Sequence, residues 1–382
     1  MHESTVNQKR FEKDPLIRVG VSTRHGMADE IAACPPDGVE YCFPTPTRTR
    51  HRFIRSPIKS YLMEFADTRE FDVLEAVLSP VITSAPWVCS LDCFEAALAF
   101  GFLTFPLPRV TRVGYVNRLF RRNNCKKLLF WSQAARETLY GYGGVTDPVV
   151  IDKATVVYPA IRQVSEDFIR YTDDQVKLLF SGDFFRKGGA NVVDVFESLQ
   201  QEYPGITLRI CCDEKIDFRS RNRELKEEYL TRIRKNQSIQ FGRVSRQRML
   251  GEVLPETDVY LLPTYNEAFG FAILEAMAYG IPVVATNHFA IPEIIDSESD
   301  SFLIDISDFD TKNMFRGYAV DAIPLPFRNH VNDQLKAYLR RLIESSALRR
   351  TVGAAALEKV RSKFGFGSRN ETMSVIYREA VC

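Results

Sequence analysis

The feature that most constrains the fold is the alternation of short apolar runs with amphipathic segments across the second half of the chain. Strands are predicted at 176–181, 206–211, 239–241, 258–262, 282–285 and 302–304. Helices are predicted at 191–200, 221–234, 247–253 and 271–279. Strands that alternate with helices form parallel, doubly wound sheets, which bind ligands outside the carboxyl ends of their strands. The sequence therefore predicts an α/β fold with a ligand site where these strands end.

The first half of the chain follows the same pattern less regularly. Strands are predicted there at 17–22, 39–43, 81–84, 127–131 and 154–158. Because 382 residues are too many for one compact core, we expect two α/β domains. The predicted domains are 1–165 and 166–363, and a last helix is predicted at 364–382.

The first residues, the apolar runs and the cysteines of the chain indicate the cellular compartment in which the protein is expected. The first residues, MHESTVNQKRFEKD, are polar and charged, unlike a signal peptide, and no apolar run reaches the roughly 18 residues that span a bilayer. The eight cysteines do not follow the paired spacing of a metal site and are predicted to be free thiols. We therefore expect a cytoplasmic protein.

Charge is balanced overall, with 50 basic and 49 acidic residues, but the stretches 96–136 and 41–63 contain no Asp or Glu. The basic residues concerned are Arg109, Arg112, Arg118, Arg121, Arg122, Lys126, Lys127 and Arg136 in the first stretch, and Arg48, Arg50, Arg52, Arg55 and Lys59 in the second. They would attract the phosphates of an anionic membrane surface or of an anionic acceptor. The alternative is that they form solvated faces of helices and loops. Nucleic acid is not an expected partner, because aromatic residues do not interleave with these cations as in nucleic-acid-binding modules.

Two glutamates eight residues apart mark the strongest motif. A predicted strand stops at Pro263, Glu267 lies in the following loop, and Glu275 lies in the second turn of the next predicted helix. In one helix they would be about 12 Å apart along the axis, which is too far for an acid/base pair. We predict that they hold two parts of an elongated ligand. The backbone amides between them, those of Ala268, Phe269, Gly270 and Phe271, would face an anion such as a diphosphate.

A second motif, FSGDFFRKGG at 180–189, follows the first strand of the second domain. Arg186 and Lys187 precede a Gly-Gly turn into a helix. Two cations at this point can neutralise a departing diphosphate in a site that excludes water.

The segment EAFGFAILE at 267–275, with its continuations AMAYGIPVVAT and PEII, resembles glycosyltransferase family 4, the retaining enzymes of glycosyl transferases group 1. The resemblance implies the GT-B fold: two Rossmann-like domains facing across a cleft, with the last helix crossing back to the first domain. It implies that the N-terminal domain binds the acceptor and that the C-terminal domain binds a nucleotide-sugar donor. Glu267 would hold hydroxyls of the donor sugar, and Glu275 the ribose.

Further roles follow from the same resemblance. The amides of 269–271 would meet the sugar and the distal phosphate, and Arg186 and Lys187, after Gly182, would stabilise the leaving group. The arginine usual directly after that glycine is Asp183 here. The loop FGRVSR at 241–246 resembles the family loop that contacts the nucleobase through backbone groups, which would here be those of Arg243 and Val244.

The first domain departs from the family in two ways: its glycine-rich loop is reduced to Gly26, and the histidine near residue 100 is absent. Asp92 is the favoured replacement beside the sugar. Glu95 and His25 are alternatives, and Asp92 and Glu95 as caps of the following helix are another.

The resemblance implies a hexosyltransferase that transfers a sugar with retention to a glycan, a lipid-linked or a small-molecule acceptor, as in polysaccharide biosynthesis. No protein nucleophile and no metal would be required. The alternative metal site is the Asp-x-Asp of Asp308 and Asp310. Two other functions stay open: a non-catalytic sugar-nucleotide-binding subunit and a sugar-nucleotide epimerase, although the latter lacks evident acid and base residues.

Overall fold

The computed structural model describes residues 16–24, 28–47, 63–99, 108–171, 175–309 and 317–382. His25, Gly26, Asp310 and the five basic residues predicted between 48 and 59 lie outside these ranges. The described residues form two compact units. Unit 1 draws on the ranges 1–90, 99–128 and 370–382, and unit 2 on 91–98 and 129–369. The predicted boundaries at 165 and 363 stay predictions.

Eight strands precede residue 160. They are β1 (Ile17–Val21), β2 (Val39–Cys42), β3 (Met63–Phe65), β4 (Val73–Val77), β5 (Val81–Thr83), β6 (Trp87–Leu91), β7 (Cys125–Phe130) and β8 (Ala154–Val156). The helices of this part are α1 (Ala28–Ala33), α2 (Phe94–Ala97), α3 (Arg109–Phe120), α4 (Gln133–Tyr140) and α5 (Pro148–Ile151).

The first sheet has six strands in the order β2-β1-β4-β6-β7-β8. Strand β1 pairs in parallel with β2 and β4, and β4 pairs in parallel with β6. The predicted strand at 81–84 exists, but it pairs with β3 in a separate two-stranded sheet. Strands β4 and β6 were not predicted, although every residue of β6 is buried. The four other strand predictions for this half are confirmed with ends shifted by one or two residues.

The remaining strands are β9 (Lys177–Ser181), β10 (Thr207–Cys211), β11 (Ile239–Phe241), β12 (Val259–Leu262), β13 (Val283–Thr286) and β14 (Phe302–Ile304). The remaining helices are α6 (Gly189–Gln200), α7 (Arg223–Lys235), α8 (Arg246–Arg248), α9 (Phe271–Ala278), α10 (Ile291–Ile294), α11 (Leu325–Glu344), α12 (Ser346–Lys363) and α13 (Phe366–Val381).

The second sheet confirms the predicted doubly wound pattern. Its order is β11-β10-β9-β12-β13-β14, and all its pairings are parallel. Strands β12 and β13 are buried at every position, as expected for the middle of a sheet covered on both faces. The helix predicted at 247–253 is instead the short α8 followed by a π-helical turn at Met249–Val253.

A partly buried polar network ties three helices of unit 2 together. The Asp194 carboxylate accepts hydrogen bonds from Tyr229 (3.0 Å) and from the guanidinium groups of Arg232 (2.8 Å) and Arg328 (2.5 Å). Asn191, one turn earlier in α6, accepts a hydrogen bond from Tyr265, in the loop after β12. This network fixes that loop against α6 and α11.

Residues 370–382 belong to unit 1 although they end the chain. The Tyr377 hydroxyl donates a hydrogen bond to the buried Glu75 carboxylate (2.5 Å), which also accepts one from Ser90. The end of α13 therefore packs beside β4, as a last helix that returns to the first domain requires.

All eight cysteines are free thiols, and five of them are buried. Over the described ranges, no cluster of His, Cys, Asp or Glu side chains is arranged to hold a metal ion. Within the same ranges, no helix combines the length and apolarity of a membrane span.

Candidate functional site

The loop after β9 carries the two predicted cations and begins with a left-handed glycine. Gly182 has φ +104°, a conformation that side-chain-bearing residues rarely adopt. The Asp183 carboxylate accepts a hydrogen bond from the Arg186 amide (3.2 Å) and lies 3.7 Å from Nε of Arg186. Asp183, at the position where the family has an arginine, thus holds the arginine three residues later.

The loops after β9 and β12 pack directly on each other. The carbonyl of Arg186 accepts a hydrogen bond from the Tyr265 amide (3.0 Å). Gly188 has φ +81°, and a Cβ atom there would overlap the carbonyl oxygen of Pro263. The two predicted motifs therefore form one site at the carboxyl ends of β9 and β12.

At the centre of this site, the Lys187 ammonium group forms an ion pair with the Glu267 carboxylate. Their side chains are only 13% and 11% exposed. Burial raises the pKa of Glu267, but the charge and hydrogen bond of Lys187 outweigh burial, and the pKa lies below its ordinary value. Burial lowers the pKa of Lys187. The sequence predicted both residues for the site but not their contact.

Helix α9 begins where its motif predicts. Gly270 is the N-cap, with φ +109°, and Phe271 is the first helical residue. The amide of Ala268, predicted to face an anion, donates instead to Oε1 of Glu267 (2.9 Å). This corrects the prediction, because the loop bends Glu267 back onto its own neighbour. Phe269 is buried, and its ring packs on Phe271.

Glu275 lines a separate pocket of about 250 Å³. The pocket is lined by Ser181, Val244, Arg246, Met249, Leu254, Tyr260, Ala272 and Glu275. Val244 lines it, and its predicted contact with a nucleobase stays a prediction. The side chain of Arg243 is exposed and does not line it, and the predicted backbone contact of Arg243 with a nucleobase stays a prediction.

Sequence reasoning missed three polar residues of this pocket. Arg246 Nη1 lies 2.5 Å from Oε1 of Glu275. The hydroxyls of Tyr260 and Ser181 share a hydrogen bond of 2.8 Å. Burial raises the pKa of Tyr260, the hydrogen bond with Ser181 opposes this rise, and the charges of Glu275 and Glu267 add to it. Arg246 could have been found, because it ends the FGRVSR loop that follows β11.

Asp92 follows β6, and its carboxylate accepts a hydrogen bond from the Cys93 thiol (3.2 Å). Helix α2 begins after Cys93 without a side-chain cap hydrogen bond, which speaks against capping by Asp92. Its role beside a sugar stays a prediction. Asp308 is exposed.

The PEII segment has a contact that its sequence did not predict. The Glu293 carboxylate, in α10, accepts hydrogen bonds from the amides of Gln133 and Ala134, both at 2.8 Å, and from the Tyr158 hydroxyl at 2.9 Å. Glu293 therefore caps α4 at its N-terminus, where a negative charge is favoured by the helix dipole.

Comparisons with known proteins concern the family and the fold of the chain. Residues 164–312 match the family model described as glycosyl transferases group 1. A 62-residue segment is 40% identical to the putative colanic acid biosynthesis glycosyltransferase WcaL of Escherichia coli and covers 15% of each chain. A 65-residue segment is 35% identical to the N-acetyl-alpha-D-glucosaminyl L-malate synthase of Bacillus anthracis and covers 17% of each chain. The matches thus span less than a fifth of these relatives.

The fold is similar to that of HepE from Anabaena, solved in complex with UDP and glucose, with a TM-score of 0.62 over 95% of this chain and all of that one at 15% identity. That likeness shows the GT-B fold. Residues 164–312 therefore match glycosyl transferases group 1, within a chain that has the GT-B fold.

Proposed function

We propose that the protein is a retaining glycosyltransferase of family 4, which transfers a sugar from a nucleoside diphosphate sugar to a glycan, lipid-linked or small-molecule acceptor. The observation that carries the proposal is the largely buried Lys187–Glu267 pair in the loops after β9 and β12. The same two strands supply Ser181 and Tyr260 to the pocket of Glu275. Charged groups in a site that excludes water interact strongly with charge that develops during a reaction, because water does not screen them. HepE was solved with UDP, which makes a UDP-sugar the first donor to test.

The transfer would need no protein nucleophile. The bond between the anomeric carbon and the diphosphate oxygen breaks as the acceptor hydroxyl attacks from the same face, and the leaving phosphate takes the hydroxyl proton. Lys187, Arg186 and the first amides of α9 would take up the charge on the diphosphate, while Glu267 would hold sugar hydroxyls and Asp92 would lie beside the sugar. In this scheme a metal is not required, so EDTA should leave the rate unchanged.

Calorimetric titration tests the donor site. UDP, GDP and ADP, and their glucose forms, would be titrated into the wild type, Glu275→Ala and the surface control Glu298→Ala, whose carboxylate pairs with the exposed Arg341. We expect one nucleotide to bind and Glu275→Ala to weaken it at least about tenfold. Binding to none of them would refute the donor assignment.

Product analysis by NMR distinguishes the remaining functions. A transferred sugar with the anomeric configuration of the donor supports the proposal, and inversion contradicts retention. A donor that binds but is neither transferred nor hydrolysed indicates a sugar-nucleotide-binding subunit. Conversion of the donor alone into another nucleotide sugar indicates an epimerase.

We also propose that the protein works in the cytoplasm and contacts an anionic membrane surface through α3. Within 108–127 the chain has no acidic residue, and Arg118, Arg121 and Arg122 are exposed, as is 84% of Val110. Basic residues near an anionic bilayer contribute about 1 kcal/mol each. Co-sedimentation with phosphatidylglycerol vesicles should be lost in Arg118→Gln/Arg121→Gln/Arg122→Gln. It should persist in Arg219→Gln/Arg221→Gln/Arg223→Gln, which removes the same charge from exposed positions of unit 2.

A further inference from the structure

The pocket beside Glu275 contains an arginine to which the family resemblance assigns no role. Arg246 Nη1 lies 2.5 Å from Oε1 of Glu275, and both side chains line the pocket. The Glu275 side chain is 14% exposed and that of Arg246 45%. The carboxylate is therefore largely withdrawn from water, and the guanidinium reaches it from the more exposed side.

The backbone segments that carry the two residues are held together independently of this ion pair. Arg246 begins α8, which Ser245 caps by accepting a hydrogen bond from the Arg248 amide (3.2 Å). The hydroxyl of Tyr279, at the end of α9, donates to the carbonyl of Leu250 (2.6 Å) in the turn that follows α8. Since α9 also carries Glu275, the ion pair is not needed to bring α8 and α9 together. Its remaining effect is on the orientation of the two side chains.

We infer that Arg246 is a positioning residue, which fixes the Glu275 carboxylate so that it accepts hydrogen bonds from the ribose hydroxyls of a nucleoside diphosphate. The inference rests on the proposed function, which places the ribose at Glu275. A carboxylate offers about four acceptor sites, so a guanidinium at Oε1 is compatible with ligand hydroxyls on the same group. A planar guanidinium holds a carboxylate in a defined orientation, as a lysine ammonium does not.

The pocket supports this reading over a direct contact of Arg246 with phosphate. Val244, Met249 and Leu254 give the pocket an apolar side suited to a base, and Glu275 is its acidic group. Arg246 is already paired with that carboxylate. The cations available for a phosphate are Arg186 and Lys187, in the loop that precedes α6. Fixing a side chain before binding lowers the entropy lost when the ligand arrives.

The test compares ribonucleotides with nucleotides that lack the ribose hydroxyls. UDP, GDP and ADP would be titrated into the wild type, and the tightest of them would be measured again as its 2′,3′-dideoxy form. The variants are Arg246→Gln, Arg246→Lys and the matched control Arg248→Gln. Arg248 lies in the same helix, pairs with Glu252 at 2.9 Å and does not line the pocket.

We expect Arg246→Gln to weaken the ribonucleotide at least about tenfold, the size typical of a lost hydrogen bond to a charged group, and the dideoxy form by less than about threefold. Arg246→Lys should fall between, because it keeps the charge but not the planar contact. Arg248→Gln should match the wild type for both ligands.

Equal losses for both ligands in Arg246→Gln would overturn the inference, because they would indicate contact with the base or phosphate. An unchanged affinity for the ribonucleotide would overturn it too. If Arg246→Gln does not fold, the same ratio of the two affinities in Arg246→Lys decides. Failure of the proposed function would show earlier, as a wild type that binds no nucleotide or an affinity that Glu275→Ala does not change.

Discussion

Lys187 and Glu267 lie 80 positions apart in the chain and form a largely buried ion pair that joins the loops after β9 and β12. Removing one member leaves the other charge buried and uncompensated, which costs about 3–5 kcal/mol. We expect Lys187→Met and Glu267→Gln each to lower the free energy of unfolding of the protein by about this amount. The double variant should lose less than the sum.

Urea denaturation of the wild type and the three variants measures this coupling. The matched control is Arg248→Met with Glu252→Gln, an exposed pair whose members should each contribute about 0–1 kcal/mol. Additive losses at 187 and 267 would show that the two groups do not stabilise each other.

The same pair sets a direction for pH dependence. The pKa of Glu267 is lowered in the folded protein from its ordinary value of 4.5. Its ionised form therefore contributes stability that is fully present above the ordinary pKa and is lost as pH falls through the lower, folded-state value. The difference in urea midpoint between the wild type and Glu267→Gln should be constant from neutral pH to about pH 5 and shrink below that. A difference that grows on acidification would contradict the lowered pKa.

The Glu293 cap predicts a stability loss within unit 2. Glu293→Gln weakens the hydrogen bonds to the amides of Gln133 and Ala134 and to Tyr158, so we expect a loss of about 1–2 kcal/mol in the free energy of unfolding. Tyr158→Phe removes one bond and should cost about 1 kcal/mol. Thermal unfolding measures both. Glu298→Gln, on an exposed pair, should lie within about 0.5 kcal/mol of the wild type, and a Glu293 variant equal to it would refute the cap.

The loops after β9 and β12 approach each other so closely at Gly188 that we expect a side chain at this position to destabilise the protein. Its φ of +81° and its approach to Pro263 leave no room for a Cβ atom, so Gly188→Ala should destabilise the protein by more than about 2 kcal/mol. Gly251→Ala is the control, because a Cβ atom placed there would meet no described atom within 4 Å apart from those of its own turn and its chain neighbours. Equal unfolding midpoints for the two variants would show that the close approach does not exist.

Most of the second sheet could be predicted from the sequence because its strands are short runs of apolar residues, two of which, β12 and β13, are buried at every position. Two of the six predictions, 239–241 and 302–304, match β11 and β14 at both ends. In the first sheet, β4 was missed because the run VLEAV contains Glu75. That carboxylate is buried only because Ser90 and Tyr377 donate hydrogen bonds to it, and neither donor is close in sequence.

The candidate site also contains residues that could be predicted from the sequence and residues that could not. The sequence identifies four of its residues by their spacing and by the residues next to them: Glu267, Glu275, Arg186 and Lys187. The sequence does not identify the residues that orient them. Arg246, for example, lies 29 positions before Glu275, and only the fold brings α8 beside α9. The bond of Ala268 to Glu267 depends on the backbone path of one loop, which residue types alone do not specify.

The cap of α4 by Glu293 also orders events during synthesis. Gln133 precedes Glu293 by 160 residues, and a ribosome adding about 5–20 residues per second needs roughly 8–32 s to make the intervening chain. Until then Ser132 can cap only the Ala135 amide, and the amides of Gln133 and Ala134 bond to water, so the nascent β7–α4 segment lacks its final cap. That segment therefore gains its full stability only when the second sheet is nearly complete.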